Sequence, residues 1–129
     1  MFDLGIVGVG GWGKRLINAV QGKSSDVRFV SAATRTPSKV AEFAAGHGLR
    51  LSDDYGSILS DPDVRGVVIC SPGLQHVAQT LSAIEAGKHV LSIKPLALRK
   101  DDAVKIYDAA SAKGVFVGMG YERCFLPAV

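Results

Sequence analysis

The sequence predicts an α/β fold, a doubly wound parallel sheet of six strands in the order 3-2-1-4-5-6. Short apolar runs rich in β-branched residues alternate with stretches of helical period, which is typical of βαβ units whose parallel sheet is covered on both faces. The 129 residues are 47% hydrophobic and 21% charged, and this suits one globular domain. We therefore predict a single domain at residues 1–119 and a tail at residues 120–129.

Six apolar runs are the predicted strands. Glycines such as Gly22, Gly87 and Gly114 follow the helical stretches between them, at positions where helices commonly end. In chain order, the strands are predicted at residues 4–9, 27–33, 49–51, 66–70, 89–93 and 115–119.

Five helices are predicted between the strands, from apolar residues at helical spacing. Thr36 is expected to cap the second helix with Pro37 in its first position, and Asp53 or Asp54 is expected to cap the third. The core-facing residues are predicted to be Trp12, Leu16, Ile17 and Val20 in the first helix, Val40, Phe43 and Ala44 in the second, Tyr55, Ile58 and Leu59 in the third, Val77, Leu81 and Ile84 in the fourth, and Ala103, Ile106, Tyr107 and Ala110 in the fifth.

The charge and cysteine content argue against several classes of protein. Lys plus Arg number 15 against 12 for Asp plus Glu, a net charge of +3, and these cations are scattered rather than gathered into the patch of a nucleic-acid binder. No apolar run reaches the roughly 18 residues of a membrane span, and no leader-like segment opens the chain, so we expect a cytoplasmic protein. Cys70 and Cys124 match no metal-ligand spacing, and no metal site is predicted.

The segment between the first strand and the first helix carries the motif G-x-G-x-x-G. It reads Gly8-Val9-Gly10-Gly11-Trp12-Gly13. The first glycine permits a tight turn, the second lets backbone approach a pyrophosphate, and the third lets the helix pack close to the strand. Free N–H groups at the helix start favour an anion. We therefore predict that Gly8, Gly10, Gly11, Trp12 and Gly13 bind a dinucleotide; the alternative is a glycine-rich turn without a ligand.

The end of the second strand indicates which dinucleotide is favoured. An NAD site normally has Asp or Glu about 20 residues after the glycines, where it binds ribose hydroxyls. This chain has Thr34, Arg35 and Thr36 there. Arg35 can hold a 2′-phosphate by charge-assisted hydrogen bonds, with the threonine hydroxyls as further donors, so NADP is predicted over NAD. The alternative is that Arg35 is a solvated loop residue.

Three further segments carry a resemblance to a known family. They are residues 70–76 (Cys-Ser-Pro-Gly-Leu-Gln-His), residues 89–97 (His-Val-Leu-Ser-Ile-Lys-Pro-Leu-Ala) and residues 118–127 (Gly-Met-Gly-Tyr-Glu-Arg-Cys-Phe-Leu-Pro). Together with the glycine loop, the chain resembles the N-terminal, Rossmann-type domain of the Gfo/Idh/MocA oxidoreductases, the family of glucose-fructose oxidoreductase and inositol dehydrogenase. The likeness spans essentially the whole chain.

In that family the fourth strand typically ends in Thr-Pro-Asn-x-x-His. Ser71, Pro72 and His76 match this motif, and Gly73 stands where Asn is usual. The resemblance therefore implies that Ser71, Pro72 and His76 lie beside the cofactor. For His76 the alternative is a residue that only begins a helix.

The fifth strand of the family typically ends in Glu-Lys-Pro, whose lysine lies by the nicotinamide and the substrate. Lys94 and Pro95 match, whereas Ile93 stands in place of Glu. The resemblance implies that Lys94 and Pro95 bind the cofactor and that Lys94 is catalytic; a surface lysine is the alternative. The family's acid–base histidine belongs to a second domain, so we expect these 129 residues alone to bind cofactor without turnover.

The function predicted from all of these features is an NADP(H)-binding domain of an oxidoreductase that moves hydride between nicotinamide and a sugar- or cyclitol-like substrate. The first alternative is a non-catalytic nucleotide-binding module or NADP(H) sensor, and the second is a binder of another nucleotide. Phe125, Leu126 and Val129 are apolar, so the tail is expected either to lie disordered or to join copies of the chain in a homo-oligomer.

Overall fold

The computed structural model describes residues 1–121 and residue 127, and the sheet it contains has six strands in the order β3-β2-β1-β4-β5-β6. Every neighbouring pair is parallel, so the predicted fold is confirmed. In chain order the elements are β1 (Phe2–Val7), α1 (Gly11–Val20), β2 (Val27–Ala33), a 3₁₀ turn (Pro37–Lys39), α2 (Ala41–Gly46), β3 (Arg50–Ser52), α3 (Tyr55–Leu59), β4 (Gly66–Ile69), a second 3₁₀ turn (Gly73–Gln75), α4 (His76–Glu85), β5 (His89–Ile93), α5 (Lys100–Lys113) and β6 (Val117–Gly120).

The central strand, β1, is where the strand order reverses. Its last residue, Val7, pairs with Ala33 of β2 on one side and with Ile69 of β4 on the other. The chain therefore leaves the carboxyl ends of three adjacent strands at one edge of the sheet. In open parallel sheets, this switch point is the place where ligands bind.

Two apolar clusters hold the helices against opposite faces of the sheet, because alternate residues of a strand point to opposite sides. The cluster under α1 and α2 consists of Ile6, Val9, Ile17, Phe29, Ala32, Val40, Ala44, Leu49 and Val68. The cluster under α3, α4 and α5 consists of Val7, Ala33, Ile58, Val64, Val67, Ile69, Ala83, Ile84, Val90, Ile106 and Ala110.

The second helix begins later than the sequence predicts. Thr36 makes no side-chain cap, and Pro37 opens a 3₁₀ turn. Val40 then leaves the helical region with φ −128° and ψ 12°, so that α2 starts only at Ala41. The predicted helix start at Thr36 is therefore wrong. Proline suits a tight turn as well as a first helical turn, and the bend at Val40 accompanies the burial of its side chain in the apolar cluster.

Two predicted core residues are exposed. Trp12 is 44% exposed and Tyr107 is 72% exposed. Trp12 lies in the first turn of α1, a few residues after the carboxyl end of β1. On α5, Ile106 and Ala110 are one helical turn apart and buried, and Tyr107 lies about 100° around the helix from Ile106. Period alone could not show which of the two residues faces the sheet.

The ends of four strands differ by one or two residues from the prediction. β1 runs from Phe2 to Val7 rather than over 4–9, and β3 from Arg50 to Ser52 rather than over 49–51. β4 ends at Ile69 rather than at residue 70, and β6 runs from Val117 to Gly120 rather than over 115–119. The tail residues Phe125, Leu126 and Val129, together with Cys124, lie outside the described residues. Within the described part of the chain, no helix is both long enough and apolar enough to cross a bilayer.

Candidate functional site

A cavity of about 930 Å³ opens at the carboxyl ends of β1, β2 and β4. It therefore lies at the switch point of the sheet. Its wall includes Val7, Gly8, Val9, Gly10, Trp12, Lys14, Ala33, Thr34, Arg35, Thr36, Lys39, Val40, Asp53, Tyr55, Cys70, Ser71, Pro72, Gln75, Gln79 and Ile93. We call Thr34, Arg35, Thr36 and Lys39 the β2-side wall, and Ser71, Gln75, Gln79, Tyr55 and Ile93 the β4-side wall.

The glycine loop between the two walls is fixed by close backbone contacts. Gly8 has φ +90°, and a Cβ there would lie 2.6 Å from the carbonyl carbon of Cys70. A Cβ on Gly13 would lie 2.2 Å from the Gly8 carbonyl oxygen. Both positions thus exclude a side chain. At Gly10, by contrast, φ is −91° and no atom lies within 4 Å of a built Cβ, so the loop leaves open space there.

The start of α1 offers unpaired hydrogen-bond donors to this space. Gly10 is the N-cap and contributes no side-chain hydrogen bond, and the first turn carries no acidic residue. The N–H groups of Gly11, Trp12 and Gly13 find no acceptor within the described residues. Such donors and the positive end of a ten-residue helix suit a phosphate. The loop's geometry therefore fits the pyrophosphate of a dinucleotide.

The β2-side wall is cationic and exposed. Thr34 is fixed by its N–H, which donates to the Ser52 carbonyl at 3.0 Å, while Arg35 and Thr36 are exposed. The 3₁₀ turn brings Lys39 onto the same wall as Arg35. Sequence reasoning missed Lys39, although its spacing of four residues from Arg35 is the signal that could have found it.

One carboxylate also reaches this part of the cavity. Asp53 follows β3 and is exposed on the wall. It comes from the neighbouring strand, since β3 pairs with β2, and not from the end of β2, where sequence reasoning looked for an acidic residue. Asp54, next to it, accepts a hydrogen bond from the Gly56 N–H at 2.8 Å and caps α3.

Apart from the apolar Ile93, the β4-side wall is a hydrogen-bonded set of polar residues. The Ser71 hydroxyl donates to Oε1 of Gln79. Nε2 of Gln79 donates to Oε1 of Gln75 at 3.2 Å, and the Tyr55 hydroxyl donates to the Gln79 carbonyl at 2.8 Å. Burial raises the pKa of the Tyr55 hydroxyl above its ordinary range. The same cause raises the pKa of the Cys70 thiol to about 12, so neither group ionises near neutral pH.

His76 lies beneath the wall rather than on it. The residue is 1% exposed, with Nδ1 2.6 Å from the Pro95 carbonyl oxygen and Nε2 2.5 Å from the Ser71 carbonyl oxygen. The imidazole therefore connects the loop after β4 to the loop after β5. Direct contact of His76 with a cofactor stays a prediction; the contacts observed are with these two loops.

Lys94 and Pro95 also lie off the cavity wall. Lys94 is exposed and makes no ion pair or hydrogen bond with another described residue. Its neighbour Ile93 lines the cavity with an apolar side chain. The predicted catalytic and cofactor roles of Lys94 stay predictions.

The cavity brings together many of the residues predicted from sequence. Those on its wall are Gly8, Gly10, Trp12, Thr34, Arg35, Thr36, Ser71 and Pro72, and those elsewhere are Gly11, Gly13, His76, Lys94 and Pro95. Gly11 and Gly13 adjoin the wall in the first turn of α1.

Comparison with known proteins agrees with this architecture. Residues 2–121 match the family described as "Oxidoreductase family, NAD-binding Rossmann fold", GFO_IDH_MocA. The chain belongs to the Gfo/Idh/MocA family. The match covers the whole sheet and every residue of the candidate site, so the family resemblance inferred from the motifs is confirmed.

Three proteins illustrate what the chain is similar to. The chain is 31% identical over 121 residues to inositol 2-dehydrogenase 3 of Saccharopolyspora erythraea, covering 93% of this chain and 36% of that protein. It is 37% identical over 100 residues to levoglucosan dehydrogenase of Pseudarthrobacter phenanthrenivorans, covering 75% and 25%. The crystal structure of biliverdin reductase from Synechocystis sp. PCC 6803, in complex with biliverdin and NADP⁺, superposes with a TM-score of 0.84 at 29% identity, covering 91% and 37%. The chain therefore spans well under half the length of each relative.

Proposed function

We propose that this chain is the NADP(H)-binding domain of an oxidoreductase that transfers hydride between nicotinamide and a sugar- or cyclitol-like substrate. The observation that carries the cofactor assignment is the cationic β2-side wall. Arg35 and Lys39 both line the cavity there, and no carboxylate follows β2 directly. Two cations against the single carboxylate of Asp53 favour a 2′-phosphate over a bare ribose hydroxyl.

The glycine loop supports the placement of the rest of the cofactor. Its open space at Gly10 and the free N–H groups at the start of α1 suit the pyrophosphate, which places the two nucleotide halves on opposite sides of β1. The adenosine half would lie against the β2-side wall. The nicotinamide half would lie against the β4-side wall, below the loops that follow β4 and β5.

The nicotinamide supplies hydride chemistry when it is bound, and the domain's own residues hold and orient it. Ile93 covers part of the β4-side wall with apolar surface and so excludes water there. Lys94 is exposed in the loop that follows β5 and is free to hold a substrate hydroxyl. Inositol 2-dehydrogenase and levoglucosan dehydrogenase support a polyol-type substrate, since both names denote oxidation of cyclic polyols or sugars.

A non-catalytic module that only binds NADP(H) is the second candidate. The observation that favours it is Ile93, which cannot orient Lys94 as the family's Glu would. The two candidates share the cofactor site and differ only in turnover.

Titration calorimetry with NADPH and NADH tests the cofactor assignment. Arg35→Ala should weaken NADPH binding about ten- to a hundredfold, because a charge-assisted hydrogen bond contributes roughly 1.5–3 kcal/mol, and should leave NADH binding nearly unchanged. Lys39→Ala should act in the same direction with a smaller loss. Lys113→Ala, an exposed cation in the last turn of α5, is the matched control. Equal affinities of the wild type for both cofactors, unaltered by Arg35→Ala, would refute the assignment.

A further inference from the structure

We propose that Gln79 is a positioning residue that fixes the direction of the hydrogen bonds on the β4-side wall, so that this wall presents Ser71 Oγ as an acceptor and the Gln75 amide as a donor to the nicotinamide ribose. The inference rests on the proposed function, because it assumes that a dinucleotide occupies the cavity. It concerns a residue for which the motifs predicted no role.

The contacts of Gln79 place it at the centre of the wall. It lies on α4 one helical turn after Gln75, and both side chains line the cavity together with Ser71. Its backbone carbonyl accepts the hydrogen bond of the half-buried Tyr55. Its Oε1 accepts from Ser71, and its Nε2 donates to Gln75. Ser71 is only 8% exposed, so the Ser71 end of this chain of hydrogen bonds is shielded from water.

The direction of the chain follows from the chemistry of the amide group. An amide oxygen only accepts and an amide nitrogen only donates. Because the Ser71 proton points at Gln79, the lone pairs of Ser71 Oγ are left for a ligand. Because Gln75 accepts with its oxygen, its own Nε2 is left as a donor and finds no acceptor within the described residues. The amide of Gln79 therefore determines that Ser71 Oγ is free to accept from a ligand and that Gln75 Nε2 is free to donate to one.

An acceptor beside a donor is complementary to a pair of adjacent hydroxyls, in which one group donates and the other accepts. The ribose of the nicotinamide half carries such a pair, and it would lie on the β4 side of the glycine loop. Gly73 offers no side chain at the position where the resemblance leads one to expect an asparagine amide. In this chain, the amide donor comes from Gln75 instead, and the hydrogen bond from Gln79 orients it.

Two ligands separate this role from a general structural one. NADPH reaches both walls, whereas 2′,5′-ADP carries the 2′-phosphate but no nicotinamide nucleoside, and so reaches only the β2-side wall. Gln79→Met removes both side-chain hydrogen bonds at similar volume. We expect it to weaken NADPH binding by about three- to tenfold, as for one or two neutral hydrogen bonds, and to leave 2′,5′-ADP binding within a factor of about two.

A double-mutant cycle then tests whether Gln79 acts through Ser71. Ser71→Ala and Gln79→Met should each weaken NADPH binding, and the double variant should lose little more than the larger single loss, since both break the same chain of hydrogen bonds. Glu85→Met, on the exposed side of α4, is the control for a polar side chain replaced by Met on the same helix. It should change neither ligand's affinity.

Gln79→Glu is a second variant, which keeps the test possible if Gln79→Met does not fold. Its carboxylate still accepts from Ser71 but repels Gln75 Oε1, so the Gln75 amide must turn its donor inward and present its oxygen to the ligand. NADPH binding should again fall while 2′,5′-ADP binding persists. Unchanged NADPH binding in Gln79→Glu, or equal losses for both ligands in Gln79→Met, would overturn the positioning role. Failure of the wild type to bind either ligand would instead overturn the proposed function, and this inference with it.

Discussion

The two walls of the cavity offer a ligand different kinds of contact. The β2-side wall consists of exposed side chains, Arg35 and Lys39 above all, that make no hydrogen bond or ion pair with other described residues. The polar residues of the β4-side wall are hydrogen-bonded to one another, above the buried imidazole of His76. Charge can act from exposed side chains because it tolerates variable geometry, whereas a neutral hydrogen bond needs fixed geometry.

The difference determines what each wall contributes to the fold. Removing an exposed cation from the β2-side wall leaves no buried group unpaired, so binding should change and stability should not. Removing a member of the β4-side network, or the histidine below it, leaves buried polar groups without partners. Binding and stability should therefore change together on that side. The glycine loop joins the walls and depends on both.

The largest effect on stability is expected in the glycine loop, which lies between the two walls. Gly13→Ala would place a methyl group 2.2 Å from the Gly8 carbonyl oxygen, so α1 must move away from the loop, at a cost of about 3 kcal/mol or more. Gly46→Ala, which meets no atom within 4 Å, is the control and should alter stability by no more than about 1 kcal/mol in either direction. Urea denaturation gives both values. A Gly13→Ala protein as stable as wild type would show that the contact between helix and loop is not required.

The next effect should separate ligand binding from folding at the same loop. Gly10→Val meets open space and a negative φ in the protein itself, so the free energy of unfolding should change by less than about 1 kcal/mol. Its side chain would occupy the space needed by the pyrophosphate, and affinity should fall more than about 100-fold, or about 2.7 kcal/mol. Because the pyrophosphate is common to both cofactors, NADH and NADPH should be lost equally. If calorimetry shows that a normally folded Gly10→Val protein still binds NADPH with the wild-type affinity, the pyrophosphate does not bind at this loop.

The smallest of these effects compares two histidines. His76→Ala removes the buried ring that lies between the Ser71 and Pro95 carbonyls and a hydrogen bond to one of them, and should lower stability by about 2 kcal/mol. His47 also has both ring nitrogens near oxygen atoms, Phe43 O at 2.8 Å and Asn18 Oδ1 at 2.9 Å, but it is half-exposed, so His47→Ala should cost less than about 1 kcal/mol. In addition, His76→Ala should weaken NADPH more than 2′,5′-ADP, since it loosens the β4 side alone. Equal stability losses for the two histidines would remove the distinction between the buried and exposed sites.

The sheet could be predicted from sequence because short runs rich in apolar and β-branched residues alternate with stretches of helical period. The strand order followed from the six-strand βαβ pattern, whose usual order in a dinucleotide-binding domain is 3-2-1-4-5-6. The start of α2 and the inner face of α5 could not be predicted, because Pro37 suits two kinds of turn and Ile106 and Tyr107 are adjacent in sequence. Those details depend on the packing of Val40 and Ile106 against the sheet.

In the candidate site, too, some residues could be predicted from the sequence and others could not. The glycine loop and Arg35 were found from sequence because they lie next to strand ends, where position in the chain fixes position in space. Lys39, Gln75 and Gln79 were missed, because a turn or a helix brings each of them to the cavity and polar residues on a helix are usually solvated. Only the geometry shows that Gln79 faces Ser71 and that His76 joins two loops.

The close contacts of the glycine loop also bear on the entropy of binding. The Gly8 N–H donates to the Ala33 carbonyl at 2.9 Å, and the Cys70 N–H donates to the Val7 carbonyl at 2.8 Å, so the loop is tied to the strands on both sides. A loop held in this way has few conformations left to lose when a phosphate arrives, and ordering a free backbone would otherwise cost about 1–2 kcal/mol for each residue. The free energy of the N–H contacts is then available to hold the ligand rather than to order the protein.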